Sequence, residues 1–351
     1  MQWYTRDTRF IPAQGLPLTL LELCLQRDLE SNRVLRGTRL FLDEILQHNP
    51  DVSAVQIYRL LDNAIQLIDS DDVPFLLGQR LLPGDSGSAS RALSLAPNLY
   101  TALELLVKLQ PLLSPLLAPR FCTDEHYGYL YWLDSCGAGR LERPLIEACT
   151  VAVIAFSRRQ LGEHLPWELS FRHSRPDCIE QYWVHMGETL KFSQPCNLMR
   201  IPRAYLFQNW QPEGITGQLA QQQAQQQCAQ LPAAHSLLTT VYDQLMGALS
   251  TPGGNRTLQL ESLAQTLNTS PATLKRHLKK HGSHFQQQLD LVRLHRALYL
   301  LHCRRLSTEA VARELGFHDS AGLRRSFKRW TGQTPAALLQ LTDGVSGGLV
   351  T

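Results

Sequence analysis

Between residues 258 and 339 the chain carries one local pattern twice, and this duplication constrains its fold more than any other feature. Each copy reads as a short amphipathic helix, a turn of small polar residues, and a second helix studded with Arg and Lys. In the first copy Leu260, Leu263, Ala264 and Leu267 recur at i, i+3, i+4 and i+7, so a helix over 258–267 buries one stripe. Asn268 and Thr269 form the turn, Ser270 is placed to cap the next helix, and Pro271 takes its first position, where a missing N–H costs nothing. That helix, PATLKRHLKKHG, turns Leu274 and Leu278 inward, and Gly282 is suited to the left-handed residue that ends it.

A longer helix over 285–301, FQQQLDLVRLHRALYLL, joins the copies and offers Phe285, Leu289, Val292, Ala297 and Leu300 or Leu301 to both. Roughly 17 residues at about 1.5 Å each span about 25 Å, which sets two helices about one turn of DNA apart. In the second copy Ser307 caps a helix over 308–315 with Val311, Ala312 and Leu315 apolar, and Glu309 lies early, where the helix dipole favours a carboxylate. Gly316 and Phe317 make the turn, Asp319 or Ser320 caps the following helix, and Leu323 and Phe327 are its inward pair. Trp330 is expected to complete the core rather than stack on a base.

A short helix followed by a basic one is the order that lays a helix in a DNA major groove. Net charge is only +3, but residues 255–335 hold 14 Lys plus Arg against 5 Asp plus Glu, so the remainder is acidic. Such asymmetry points to a polyanion-facing domain joined to one that does not bind DNA. The expected recognition helices are about 271–281 and 320–330. In the first, Ala272, Lys275, Arg276 and Lys279 share a face, with Ser270 and Thr273 at its start. Arg276 is the candidate for a bidentate guanine contact, and Lys279 and Lys280 for phosphates. The second offers Ser320, Ala321, Arg324, Arg325 and Lys328, with Arg329 beyond.

These residues carry a resemblance. SPATLKRHLKKHGSHFQQQLDLVRLHRALYLL and ARELGFHDSAGLRRSFKRWTGQTP strongly resemble the DNA-binding domain of AraC/XylS-type bacterial transcription regulators, with Gly316-Phe317, Phe327-Lys328-Arg329-Trp330 and Gly332-x-Thr334-Pro335 at that family's spacing. Upstream, LLPGDSGSASRALSLAPNLYTALELLVKLQPLLSPLL and FRHSRPDCIEQYWVHMGETLKFSQPCNLMRIPRAYL look like the amino-terminal domain of one branch, labelled arabinose-binding-like. The resemblance implies two recognition helices per chain reading successive major-groove turns, and a first domain that binds a small effector or dimerises. The label does not imply a sugar. The chain departs from the pattern at Leu323, where Phe is usual, at His284, where a capping Ser or Thr is usual and Ser283 could substitute, and at Leu338-Leu339, which replace an aromatic and basic pair. Small residues at Ser320, Ala321 and Gly322 leave the second unit to hold DNA mostly through Arg324, Arg325 and phosphates.

The remainder reads as an α+β amino-terminal domain, followed by an all-α domain with two helix-turn-helix units joined by a long helix. Hydrophobic residues make up 44% and charged residues 19% of the 351, enough apolar surface for packed cores. Helices are expected over 18–29, 38–47, 53–68 with Ser53 as cap, 99–109 and 141–161, and strands over 127–134, 167–173 and around 190–199. The expected domains are 1–208, for effector binding or dimerisation, a Gln-rich linker at 209–235, frayed helix or loose tether, and a DNA-binding domain at 236–345.

Eight scattered cysteines without a C-x-x-C pair fit reduced thiols in a cytoplasm. MQWYTRDTRFIPAQG lacks a basic region before an apolar run, and no apolar run reaches the ~18 to 20 residues of a membrane span. The expected location is therefore cytoplasmic, without membrane contact. P-loop, G-x-G-x-x-G, H-E-x-x-H and G-x-S-x-G are absent, so no enzyme, catalytic residue, metal or cofactor is expected. His164, His173 and His185 lack acidic partners at ligand spacing, and Asp69, Asp71 and Asp72 read as a solvated loop. The aromatic group from Tyr127 to Trp183 reads mainly as core, and Arg172 and Arg175 are candidates for an anionic effector. The expected partners are double-stranded promoter DNA, RNA polymerase, an unidentified small effector and a second copy of the chain. The alternative is an effector-independent DNA-binding protein whose first domain only dimerises.

Overall fold

The computed structural model describes residues 3–211, 214–251 and 258–335. Two compact units share the chain, with the main break between Leu237 and Leu238. The first is α+β and the second helical, as expected.

The first unit opens with β1 (Arg9–Pro12), α1 (Leu16–Leu25), α2 (Ser31–Val34), α3 (Leu42–His48) and β2 (Asp51–Ser53), the two strands pairing antiparallel. α4 (Ala54–Ile68) starts where Ser53 predicts: the Gln56 side chain accepts from the Ser53 N–H at 3.1 Å in a capping box. Leu60 and Leu61 are buried, whereas Val55 is exposed. Then come α5 (Val73–Leu81), α6 (Ser88–Ser94), α7 (Leu99–Lys108), where Asn98 accepts from Thr101 N at 2.9 Å, and α8 (Gln110–Leu113). Asp72 does not sit in an idle acidic loop; it pairs with Arg27 at 2.5 Å.

A five-stranded sheet follows in the order β3 (Leu117–Thr123), β4 (Tyr127–Asp134), β7 (Leu198–Pro202), β5 (Glu168–Ser170), β6 (Leu190–Lys191). All neighbours are antiparallel except β5 and β6. β3 contains Pro119, opposite Trp132, and is tolerated because it lies at the edge, where a missing N–H breaks no ladder. The expected strand over 167–173 shrinks to three residues, since the chain turns away after Ser170.

α9 (Glu142–Leu161) is the central helix, buried along most of its length, and α5 lies against it. Their approach is close: a Cβ on Gly78 would sit 2.5 Å from the Ala148 carbonyl oxygen and 2.7 Å from Val151 Cβ, so no side chain fits there. α10 (Ile179–Met186) and α11 (Arg203–Leu206) complete the region around the sheet.

The Gln-rich segment departs from its expected role as a linker. It forms α12 (Ile215–Gln230), grouped with the first unit and lying on α6 with Gly217, Ala220 and Ala224 buried. Small residues at i, i+3 and i+7 make a narrow flat stripe, and the glutamines cover the outer face. Within the described residues no helix is long and apolar enough to cross a membrane.

Candidate nucleic-acid interface

The second unit begins with α13 (Leu237–Ser250), whose Val241, Tyr242 and Leu245 are buried, and continues with α14 (Leu260–Thr266), α15 (Pro271–Lys280), α16 (Phe285–His302), α17 (Thr308–Glu314) and α18 (Ser320–Thr331). The two predicted copies are α14 with α15 and α17 with α18, with α16 between them.

Their turns are built alike. Asn268 takes the left-handed conformation in the first (φ 49°), and Gly316 in the second (φ 74°). Thr269 N donates to the Ala264 carbonyl at 2.9 Å, and Phe317 N to the Ala312 carbonyl at the same distance. The second turn is one residue longer before its cap. Ser270 Oγ accepts from Thr273 N at 3.1 Å, and Asp319, rather than Ser320, accepts from Gly322 N at 2.6 Å. A side chain on Gly322 would crowd the Asp319 carboxylate, so the small residue belongs to the cap.

The inward residues are those the periodicity selects. Leu274, Leu278, Leu323 and Phe327 are wholly buried, and the half-buried Trp330 lies against the rings of Phe317 and Phe327. α16 buries Leu289, Val292, Ala297, Leu300 and Leu301. Gly282 ends α15 with φ 66°. His284 itself caps α16, its Nδ1 accepting from Gln287 N at 3.2 Å. The expected substitute Ser283 is buried and accepts from Gln288 Nε2 at 2.8 Å.

Among the predicted DNA-facing residues, Ala272, Lys275, Arg276, Lys279 and Lys280 are exposed on α15, and Ala321, Arg324, Arg325 and Lys328 on α18. Ser270 and Thr273 bind each other, Ser270 Oγ donating to Thr273 Oγ1 at 2.9 Å, so both serve the cap. Ser320 is half-buried. Beside α15 lies a groove of about 900 Å³ whose walls include Lys275, Lys279, His284 and Phe285.

Two residues outside the predicted set also shape this surface. Asp290 on α16 receives Arg329 at 3.1 and 3.3 Å, and the Arg293 guanidinium lies 5.3 Å above the Phe317 ring. Burial lowers the Arg293 pKa from its usual value, and Arg329 adds to this. A lone carboxylate at i and an arginine at i+3 on a basic helix was the available sequence signal.

In the first unit Arg172 faces Glu142 at 3.9 Å, and Arg175 lies over the Trp183 ring at 5.9 Å. The buried polar cluster lies beside them. Glu147 accepts from Arg143 Nε at 2.7 Å and from the Tyr182 hydroxyl, which is 3.3 Å from His173 Nε2. Burial holds the His173 imidazole below its usual value, reinforced by Arg143. Of these, sequence analysis singles out only Tyr182, among the aromatics, and His173, among the histidines, and not Arg143 or Glu147.

With this geometry established, comparison with known proteins places the chain. Residues 29–209 match the arabinose-binding domain of AraC transcription regulators, and residues 263–340 match a helix-turn-helix domain. The chain belongs to the AraC family of transcription regulators. As a member of the AraC family it is a DNA-binding regulator rather than an enzyme. It is 27% identical over 322 residues to the ornithine utilization regulator of Pseudomonas aeruginosa, covering 90% of this chain and 93% of that protein. It is 33% identical over 94 residues to the urease operon transcriptional activator of Escherichia coli, covering 27% and 32%. Among solved structures, the transcriptional regulator CdpR of Pseudomonas aeruginosa aligns at 22% identity and a TM-score of 0.34, over 93% of this chain and 98% of that one. The AraC-family departure at Leu338-Leu339 lies outside the described residues, as does the expected domain end at 345.

Proposed function

We propose that this AraC-family regulator reads two successive major-groove turns of promoter DNA with α15 and α18. A small metabolite bound to its first unit controls it. The repeated geometry supports the first part most directly: two basic helices, each started by a side-chain cap and each keeping its cations outward. Arg276 makes the base contact with Lys275 beside it, and Lys279 and Lys280 meet phosphates. On α18 Ala321 lies nearest the bases, while Arg324, Arg325 and Lys328 hold the backbone. Ser270, Thr273 and Ser320 act through the helix starts. The protein works in the cytoplasm, in contact with RNA polymerase and as a homodimer.

α15 carries most of the base discrimination, because α18 begins with Ser320, Ala321 and Gly322. Scrambling the half-sites of a bound promoter one at a time tests this. Loss of the α15 half-site is expected to cost roughly 10-fold more affinity than loss of the α18 half-site, within the specific-to-nonspecific range of such interfaces. Equal losses would overturn the ranking.

A relative named for control of ornithine utilization spans nearly the whole chain, which supports a metabolite-responsive first unit. A bound effector at 100 times its Kd stabilises by about 2.7 kcal/mol. Thermal-shift screening against small metabolites is expected to yield a compound that raises Tm and alters the footprint. A first unit that only dimerises would respond to none.

A further inference from the structure

The cations of the two recognition helices differ in what they face. On α15, Lys275, Arg276 and Lys279 make no ion pair among the described residues. On α18, two arginines are already engaged by carboxylates of their own unit. Arg329 reaches Asp290, which is only 20% exposed and also accepts from Gln286 Nε2 at 2.8 Å. Arg324 Nη2 lies 3.4 Å from Glu309 Oε1, in the first turn of α17, with both side chains more than half exposed.

We propose that Glu309 is an electrostatic latch on Arg324, so that α18 engages DNA only by exchanging an internal carboxylate for a phosphate. The proposal rests on the reading of α18 as a DNA-facing helix. A carboxylate and a phosphate oxygen compete for the same guanidinium donors. A duplex approaching α18 also brings its own negative charge towards Glu309, and water screens that repulsion only in part. The opposite role, a carboxylate that orients an arginine for guanine, calls for short paired contacts held away from solvent. The single 3.4 Å contact in an exposed setting is that of a competitor. Asp290, better buried and held by Gln286, instead ties α18 to α16.

The consequence is staged binding, in which the half-site under α15 fills first and the one under α18 lags. Quantitative footprinting of the full-length protein on a promoter carrying both half-sites tests it. Glu309→Gln is expected to reach half-protection of the α18 half-site at about 2- to 5-fold lower protein concentration, the scale of an exposed ion pair, with the α15 half-site unchanged. Glu309→Asp, which keeps the charge, is expected to behave as wild type. The loss on Arg324→Gln is expected to be larger in the Glu309→Gln background than in wild type, because only there is Arg324 unopposed. If Glu309→Gln does not fold, Glu309→Ala makes the same charge change with a strong helix former. Unchanged protection, or weaker protection with relaxed base preference, would overturn the latch. Failure of the wild type to protect any second half-site would instead overturn the reading of α18.

Discussion

Arg276→Ala is expected to weaken binding to the cognate site by about 1–3 kcal/mol and to relax base preference at one position of the α15 half-site. The guanidinium stands exposed on α15 between Lys275 and Lys279, on a helix fixed by the Ser270 cap at one end and Gly282 at the other. A bidentate base contact is lost together with its donors, so the wrong bases become as acceptable as the right one. Lys279→Ala is the contrast. It removes a phosphate contact, lowers affinity alike for all sequences, and flattens the salt dependence by about 0.9 in log–log slope. Titrations of both variants against cognate and scrambled sites at several salt concentrations check this. If Arg276→Ala behaves like Lys279→Ala, the assignment of Arg276 to a base edge is wrong.

Phe327→Ala should be the most damaging single change in the second unit. The side chain is wholly buried on α18, its ring meets Trp330, and its carbonyl accepts from the Thr331 hydroxyl at 2.8 Å. Removing a buried phenyl ring costs about 3–5 kcal/mol in transfer and cavity terms. Because α14 has its own buried Leu263 and α15 its own Leu274 and Leu278, the damage should centre on α17 and α18. Circular dichroism is expected to show an early melting step, and footprints to lose the α18 half-site while keeping the α15 half-site at moderate temperature. Simultaneous loss of both half-sites would mean that the two helix-turn-helix units fold as one.

The second unit was largely legible from sequence because its signals are local. Ser270-Pro271 and Ser307 announce helix starts, Gly282 and Gly316 announce left-handed turns, and the inward leucines keep a helical period. Two caps were less clear: Asp319 and Ser320 both fitted, and the imidazole of His284 did what a hydroxyl usually does. The first unit was less legible because its elements depend on partners distant in sequence. Pro119 argues against a strand unless the strand is known to be an edge. α5 contains Gly78, which lowers helix propensity and makes sense only beside Ala148 and Val151 of α9. α12 has almost no apolar face, and its small-residue stripe acquires meaning only against α6. The Arg143, Glu147, Tyr182 and His173 cluster draws on α9, α10 and the loop after β5, and only its Arg143 and Glu147 pair, at i and i+4 on α9, has a spacing to read.

The edge position of Pro119 also limits how copies of the chain can associate. An open sheet edge invites another strand, and natural sheets blunt their edges to prevent it. Here one edge strand is interrupted by a residue with no N–H to offer, and the other, β6, is two residues long. A neighbour added at β6 would gain few backbone hydrogen bonds, and one added at β3 would find no donor at Pro119. The five-stranded sheet is thereby guarded at both edges against the addition of a further strand.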